Sequence, residues 1–409
     1  MKVLYFSIFA SRRVNETIAR KTGNVIATST DKYSRLINEG LYHHLGAELK
    51  TYCVPLLAAW PGSNVVCFRG LPQYEDKNGK LHYIGFINIH FLKQFCILIH
   101  VFWSALVWGV RNRKEKDKIA VIGIVYWPFL AGIRLAKIFC RIKIVLFVPD
   151  LPDFGFTYSK QQSLFVRYTS RFYILLSNAF LKLADYFVFI TKYTPEYMGT
   201  DKPYTVMEGL VDATDRIKGT TENERNKAIM YAGALYEKYG ILNMVKAFMQ
   251  LKTDYELWLF GSGDIEMEIR HYAALDERIK FFGTVSPEDV INYELQVSLL
   301  INPRPSEGEY TKHSFPSKLM EYMLTATPVL TTLLPGIPDE YADKMFYIKD
   351  ESVEGIEKAM EMCLNSCSTD PVAYFNKGKA AREYVLKEKN NYILMGRLLQ
   401  NLSYENNCH

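Results

Sequence analysis

Cysteine is sparse and badly spaced for pairing. Cys53, Cys67, Cys96, Cys140, Cys363, Cys367 and Cys408 are odd in number and include no Cys-x-x-Cys pair. That excludes a disulfide framework and a zinc ribbon and fits free thiols in a reducing cytoplasm. Charge of one sign is also scarce. The net charge is only +5, and no nucleic-acid-binding motif accompanies it, so no nucleic-acid partner is expected. No short repeat or low-complexity tract occurs. The run from Met1 to Ile8 has too short an apolar stretch for a signal peptide and no small-residue cleavage site. It reads as a buried strand, and a cytoplasmic location is expected.

What is present is apolar and aromatic. Hydrophobic residues make up 49% of the chain and charged residues 23%, the balance of a globular protein. Aromatic residues reach 14%, enough to fill large cores and leave rings for sugar or lipid surfaces. A length of 409 residues implies two or three domains.

The first half alternates β-rich runs with helical periodicity. Strands are expected over 2–9, 118–126, 142–149 and 185–191, and helices over 32–48 and 161–183. His43 and His44 fall inside the first helical pattern and read as packed or solvated. Residues 212–227 are polar and charged and read as an interdomain linker. The pattern then restarts, with strands at 228–233, 256–260, 278–282, 297–301 and 328–332. Helices are expected from Lys238, after Gly263, near Ser286 and over 316–325, and the chain reads as helical from 351 onward. Strands separated by helices imply parallel sheets with crossover helices. The expected class is α/β: a domain over 1–211, the linker 212–227, a second domain over 228–380, and a helical tail over 381–409 packing back on the N-terminal domain.

Ligands of open parallel sheets bind beyond the carboxyl ends of the strands. Three segments of the second half lie at such ends. Ala232-Gly233-Ala234-Leu235, followed by Lys238 and Gly240, is the first; Gly261-Ser262-Gly263-Asp264 is the second. Their glycines let a phosphate or base approach the backbone, although Gly261-Ser262-Gly263 lacks the third glycine of a dinucleotide fingerprint. The third is the loop 302–315 and its helix, whose start is signalled by Ser314 and Pro316. Lys318 then falls in the first helical turn, where a cation opposes the helix dipole unless an anion is near. Glu321 lies three residues on, on the same face. Two readings of this spacing stand open: an amine for phosphates with a carboxylate for ribose hydroxyls, or an intrahelical pair worth a few tenths of a kcal/mol.

The order of these segments, ending in Phe315-Pro316-Ser317-Lys318-Leu319-Met320-Glu321-Tyr322-Met323 and Thr327-Pro328-Val329-Leu330, resembles the donor domain of family 4 glycosyltransferases. The similarity is closest to bacterial capsule, exopolysaccharide and O-antigen transferases. The resemblance implies a GT-B fold, two Rossmann-like domains facing across a cleft, and sugar transfer with retention from a nucleotide-sugar donor to a glycan or lipid-linked acceptor. It implies that Lys238 holds the donor diphosphate and that Glu321 binds the ribose. Gly233, Gly261 and Gly263 would line the nucleotide site, Ser314 and Phe315 would contact donor sugar and phosphate, and Lys318 and Arg304 would add cations. Two positions depart from the family pattern. Ala234 stands where an arginine is frequent, and His313 stands where the first of two paired acids belongs. An imidazole there would donate a hydrogen bond to the sugar or its phosphate. The family's N-terminal glycine pair is replaced by Ala10-Ser11-Arg12-Arg13.

Asp150 and Asp153 follow an apolar strand run and read either as turn residues or as acceptor-side groups, Asp150 nearest the chemistry. No Asp-x-Asp pair occurs in a strand-end loop, so no metal and no cofactor are expected; protein cations and helix dipoles would stabilise the leaving diphosphate. Residues 91–110 are nearly all apolar and precede Arg111-Asn112-Arg113-Lys114. The uninterrupted part, Phe95 to Val110, is slightly short of the ~20 residues a spanning helix needs, and the run reads as a crossover helix buried on the sheet, with interfacial contact on the inner face of the membrane as the rival. Rival functions are a GT-B sugar-nucleotide epimerase and a catalytically silent scaffold of a partner transferase.

Overall fold

The computed structural model describes residues 1–22, 29–70, 74–76, 79–155, 164–215 and 225–407. The chain forms two units. One comprises Met1–Leu210 and the chain from Asn391 onward, and the other is Val211–Asn390.

The first unit holds β1 (Lys2–Ile8), β2 (Leu49–Val54), β3 (Cys67–Phe68), β4 (Tyr74–Asp76), β5 (Gly79–Tyr83), β6 (Phe86–Ile87), β7 (Lys118–Ile122), β8 (Lys143–Val148), β9 (Tyr186–Phe189) and β10 (Tyr204–Val206). Its main sheet runs β10-β9-β8-β7-β1-β2-β5-β4. All neighbours are parallel except the β4–β5 hairpin at the edge. Val3, Leu4, Tyr5 and Phe6 are fully buried, because a central parallel strand is covered on both faces. The expected strand over 118–126 stops at Ile122. Gly123 follows, where a Cβ would collide with the Tyr5 and Ser7 side chains.

The helices of this part, among the described residues, are α1 (Arg12–Thr22), α2 (Ser29–Leu45), α3 (Leu92–Arg111), α4 (Trp127–Lys137), α5 (Pro152–Gly155), α6 (Leu164–Leu181) and α7 (Thr194–Met198). Residues 161–163 of the expected 161–183 helix lie outside the described residues. The run 91–110 does form a helix, α3, packed along α4, but the expectation of burial on the sheet is corrected. Ile97, Val101 and Ala105 are fully buried, whereas Phe95, Ile99, Trp103 and Val110 are about half exposed.

The second unit holds β11 (Asn226–Ala232), β12 (Glu256–Phe260), β13 (Ile279–Gly283), β14 (Val297–Asn302), β15 (Val329–Thr332) and β16 (Phe346–Ile348). They form one parallel sheet in the order β13-β12-β11-β14-β15-β16. Its helices are α8 (Ile241–Gln250), α9 (Glu266–Leu275), α10 (Pro287–Gln296), α11 (Ser317–Leu324), α12 (Val353–Thr369) and α13 (Pro371–Glu388). Ser286 caps α10 by accepting from the Asp289 N–H at 3.1 Å, as its Ser-Pro start implies. The polar stretch 212–227 is not all linker, since β11 starts at Asn226; residues 216–224 lie outside the described residues.

The helical tail begins later than 381. The last helix, α14 (Asn391–Asn407), packs on α2, while α13 stays in the second unit. Asn391 donates to the Leu36 carbonyl at 3.1 Å, the His43 ring stacks on Tyr392 at 3.9 Å, and His44 Nε2 lies 2.7 Å from the Tyr392 carbonyl oxygen. Gly40 lets α14 approach, because a Cβ there would meet the Asn391 carbonyl oxygen and the Met395 side chain.

The first unit carries an acid-sensitive histidine. His82 on β5 stacks on Tyr52 at 5.1 Å. Burial, then Lys50, Lys80 and His100, push its pKa down from 6.5 to about 4. The unfolded chain binds this proton at a higher pH than the folded chain, so stability falls as pH drops from 6.5 to about 4. His82→Gln should flatten that part of the pH dependence in urea titrations; a slope equal to wild type would remove His82 as its source.

Candidate functional site

In the second sheet the strand order reverses between β11 and β14, the position where open α/β sheets bind ligands. Two close backbone approaches shape the ends of β11 and β12. Gly261 has φ +127°, and a Cβ there would collide with the Gly233 carbonyl oxygen. A Cβ on Gly263 would strike the Leu235 carbonyl oxygen. Only glycine fits either place. The loops are laced together by Gly233 N–H donating to Phe260 O at 3.1 Å and Leu235 N–H donating to Ser262 O at 3.0 Å.

On the other side of the reversal, Gly240 (φ +73°) closes against the Pro303 carbonyl. This brings the turn that carries Lys238 to the loop that carries Arg304. Lys238 is exposed, with its ammonium 5.4 Å from the centre of the Tyr239 ring. The Arg304 guanidinium lies 5.6 Å from the same ring and 4.8 Å from that of Tyr310. Its Nη2 donates to Ser314 Oγ at 3.0 Å, and Ser314 Oγ donates to the Tyr310 carbonyl at 2.9 Å. Arg304 and Ser314 are therefore one linked group, and Lys238 shares a ring with it.

Helix α11 faces the end of β11. The Tyr322 hydroxyl accepts from the Ala232 N–H at 2.9 Å, which fixes the helix against the strand. Lys318, in the first turn, sits 2.8 Å from Glu321 and 3.3 Å from Glu294 on α10. Glu294 has no exposed side-chain surface, while Lys318 and Glu321 are each about one-third exposed. Burial alone would lower the Lys318 pKa; Glu321 and Glu294 together outweigh it and hold the value above that of ordinary lysine. The intrahelical pair of Lys318 and Glu321 forms. The pair also has a third member. Glu294 gave no signal in the sequence, since a single glutamate on a polar helix reads as surface.

His313 is buried, with Nε2 3.5 Å from Glu309 Oε1. Lys312 holds the other oxygen of Glu309 at 3.1 Å. Phe315 is buried against Tyr341, and a Cβ on Gly336 would hit the Ser314 carbonyl oxygen, so the loop is held from both sides. Ser306 N–H donates to the Glu351 carboxylate at 3.0 Å, a support with no sequence signal.

Asp150 and Asp153 belong to the first unit, past the end of β8. Both are exposed. Asp153 accepts from Asn178 at 3.0 Å. Asp150 lies near Tyr33, whose pKa burial raises first and the charges of Glu208 and Asp150 raise further.

Two Rossmann-like units with these sheet orders define a GT-B fold. Residues 226–366, most of the second unit, match the family model described as glycosyl transferases group 1. Solved structures agree on the fold over the whole chain. Sucrose-phosphate synthase from Thermosynechococcus elongatus is 15% identical, covering 99% of this chain and 100% of its own, at TM-score 0.65. HepE of Anabaena, in complex with UDP, is 13% identical over 99% and 100%, at TM-score 0.60. The pneumococcal O-GlcNAc transferase GtfA, in complex with UDP and GlcNAc, is 9% identical over 98% and 99%, at TM-score 0.58. No curated protein matches the chain.

The crossing of the two glycine loops makes a direct test. Gly261→Ala should destabilise the second unit by about 1–3 kcal/mol, from a strained φ and an overpacked contact. A chemical-denaturation midpoint equal to wild type would mean that the loops part without cost.

Proposed function

We propose that the protein is a retaining glycosyltransferase that takes a sugar from a nucleoside-diphosphate donor bound at the β11–β14 reversal. The acceptor in this reading is a glycan or lipid-linked glycan of cell-surface polysaccharide synthesis. The observation that carries it is the grouping of Lys318, Glu321, Arg304 and Ser314 beside the glycine loops of a glycosyltransferase domain. HepE and GtfA, which bind UDP in their structures, support uridine nucleotides as the first donors to try.

In this reading Glu321 exchanges part of its pairing with Lys318 for the ribose hydroxyls. Lys238 and Arg304 face the diphosphate, and N–H groups at the start of α11 add a partial positive charge. These groups matter most as the donor bond breaks, because negative charge then builds on the leaving diphosphate. No metal is assigned a part, since Lys238 and Arg304 supply the cations. His313, turned to Glu309 and nearly sealed from solvent, holds the 309–313 loop and so positions Ser314 and Phe315. Asp150 and Asp153 are assigned to the acceptor side. The acceptor attacks on the face the diphosphate leaves, which retains the anomeric configuration.

Thermal-shift titration with UDP-sugars tests donor binding, since a ligand of the native state raises the melting temperature. Glu321→Ala should weaken nucleotide affinity by about 1–3 kcal/mol, the scale of a lost charge-assisted hydrogen bond. A folded variant with undiminished affinity would take Glu321 out of the site. Turnover should survive excess chelator and fall in Lys238→Ala. Activity lost to chelator and restored by magnesium would overturn the metal-free account.

A further inference from the structure

Among the described residues, the first unit carries an apolar face left uncovered. Leu92, Phe95, Ile99, Trp103, Val107 and Val110 recur at helical spacing along α3, and each is at least 42% exposed. The face opposite, through Ile97, Val101 and Ala105, is sealed. A soluble crossover helix carries polar groups on its outer face; this one carries a continuous apolar stripe from end to end.

Two neighbouring helices widen the stripe. The Phe102 and Phe139 rings are 6.5 Å apart, which sets the end of α4 beside the middle of α3; Ile138 and Phe139 there are each 69% exposed. Phe91 meets Phe172 of α6 at 6.0 Å, which adds exposed Tyr168, Phe172 and Leu175.

Charge on these three helices has one sign. No Asp or Glu occurs in α3, α4 or α6. Arg111, Arg113, Arg134, Arg141, Arg167 and Arg171 stand exposed on or just beyond them. Apolar side chains within a border of arginines and aromatic rings match the boundary between lipid headgroups and acyl chains, where the stripe is buried and the cations meet lipid phosphates. A second copy of this chain is a poor occupant, because docking the same face on itself would set arginine against arginine.

We propose that α3, α4 and α6 form a docking surface for an anionic lipid bilayer, with α3 lying in the plane of the interface. By length and composition α3 is long and apolar enough to cross a membrane. Its sealed face and its packing along α4 hold it to the unit, so it lies on the bilayer rather than spanning it.

The test is co-sedimentation of the full chain with vesicles of phosphatidylcholine alone or mixed with phosphatidylglycerol. Binding to the mixed vesicles is expected, with release by about 1 M salt, at which the screening length falls to ~3 Å. Ile99→Asp combined with Trp103→Asp should cut the bound fraction at least about tenfold through lost apolar burial. Both side chains are more than half exposed, and an unchanged circular-dichroism melt would confirm the fold. Arg134→Glu with Arg141→Glu should weaken binding to mixed vesicles only. Equal sedimentation of wild type with and without mixed vesicles would overturn the proposal. So would full binding by the Asp variant. A dimer that Trp103→Asp dissociates, with no vesicle binding, would assign the face to self-association and overturn it equally.

Discussion

The second unit's site depends on a lysine held where a helix does not favour one. The free N–H groups at the start of α11 carry partial positive charge, and Lys318 adds a full one. Two carboxylates make that tolerable, Glu321 from the same helix and the buried Glu294 from α10. Without Lys318 the fully buried Glu294 charge would be left uncompensated. Glu294 is therefore bound to Lys318 as much as Lys318 to it. The network extends outward through Thr327, which donates to the Glu294 carbonyl at 2.8 Å and accepts from Arg225 at 2.6 Å. Through its carboxylate and its backbone carbonyl, Glu294 thus links α10 to α11 and to the segment before β15.

The neighbouring loops obey a steric constraint instead. Gly233, Gly261 and Gly263 let two strand-end loops cross at backbone contact, and Tyr322 ties α11 to the same strand end. A helix and two loops from distant stretches of sequence are thereby fixed on one strand, β11. Arg304 and Lys238 are placed less rigidly, through rings and one side-chain hydrogen bond.

Most of the parallel sheet was legible in the sequence, because buried parallel strands are continuous apolar runs bounded by turns. β1, β8, β9, β11, β12 and β14 fall within a residue or two of their expected positions. The short edge elements were not. β16 and the β3–β6 region lack such runs, and α1, with its polar Arg-Arg start, showed no apolar period long enough to read. The motif from Phe315 to Met323 was readable because Pro316 marks a helix start while the first-turn Lys318 opposes the helix dipole. Glu294 and Glu351 were not, since partners that meet only through tertiary packing leave no spacing behind. The outward face of α3 escaped as well: an apolar run does not say which of its sides finds a neighbour.

The two places where the chain passes between units, after Leu210 and after Asn390, have a consequence for folding. Val211 and Asn390 pair in a parallel bridge, with the Val211 N–H donating to the Lys389 carbonyl at 2.9 Å. The ends of the second unit are thus clasped together by its own backbone, and the unit sits in the first as an insertion. The first unit must then be completed by two pieces distant in sequence, β1 through β10 and α14, and the entropy of closing that long loop grows only slowly with its length. The first unit is complete only once α14 reaches α2, whereas the two ends of the second unit meet within its own backbone.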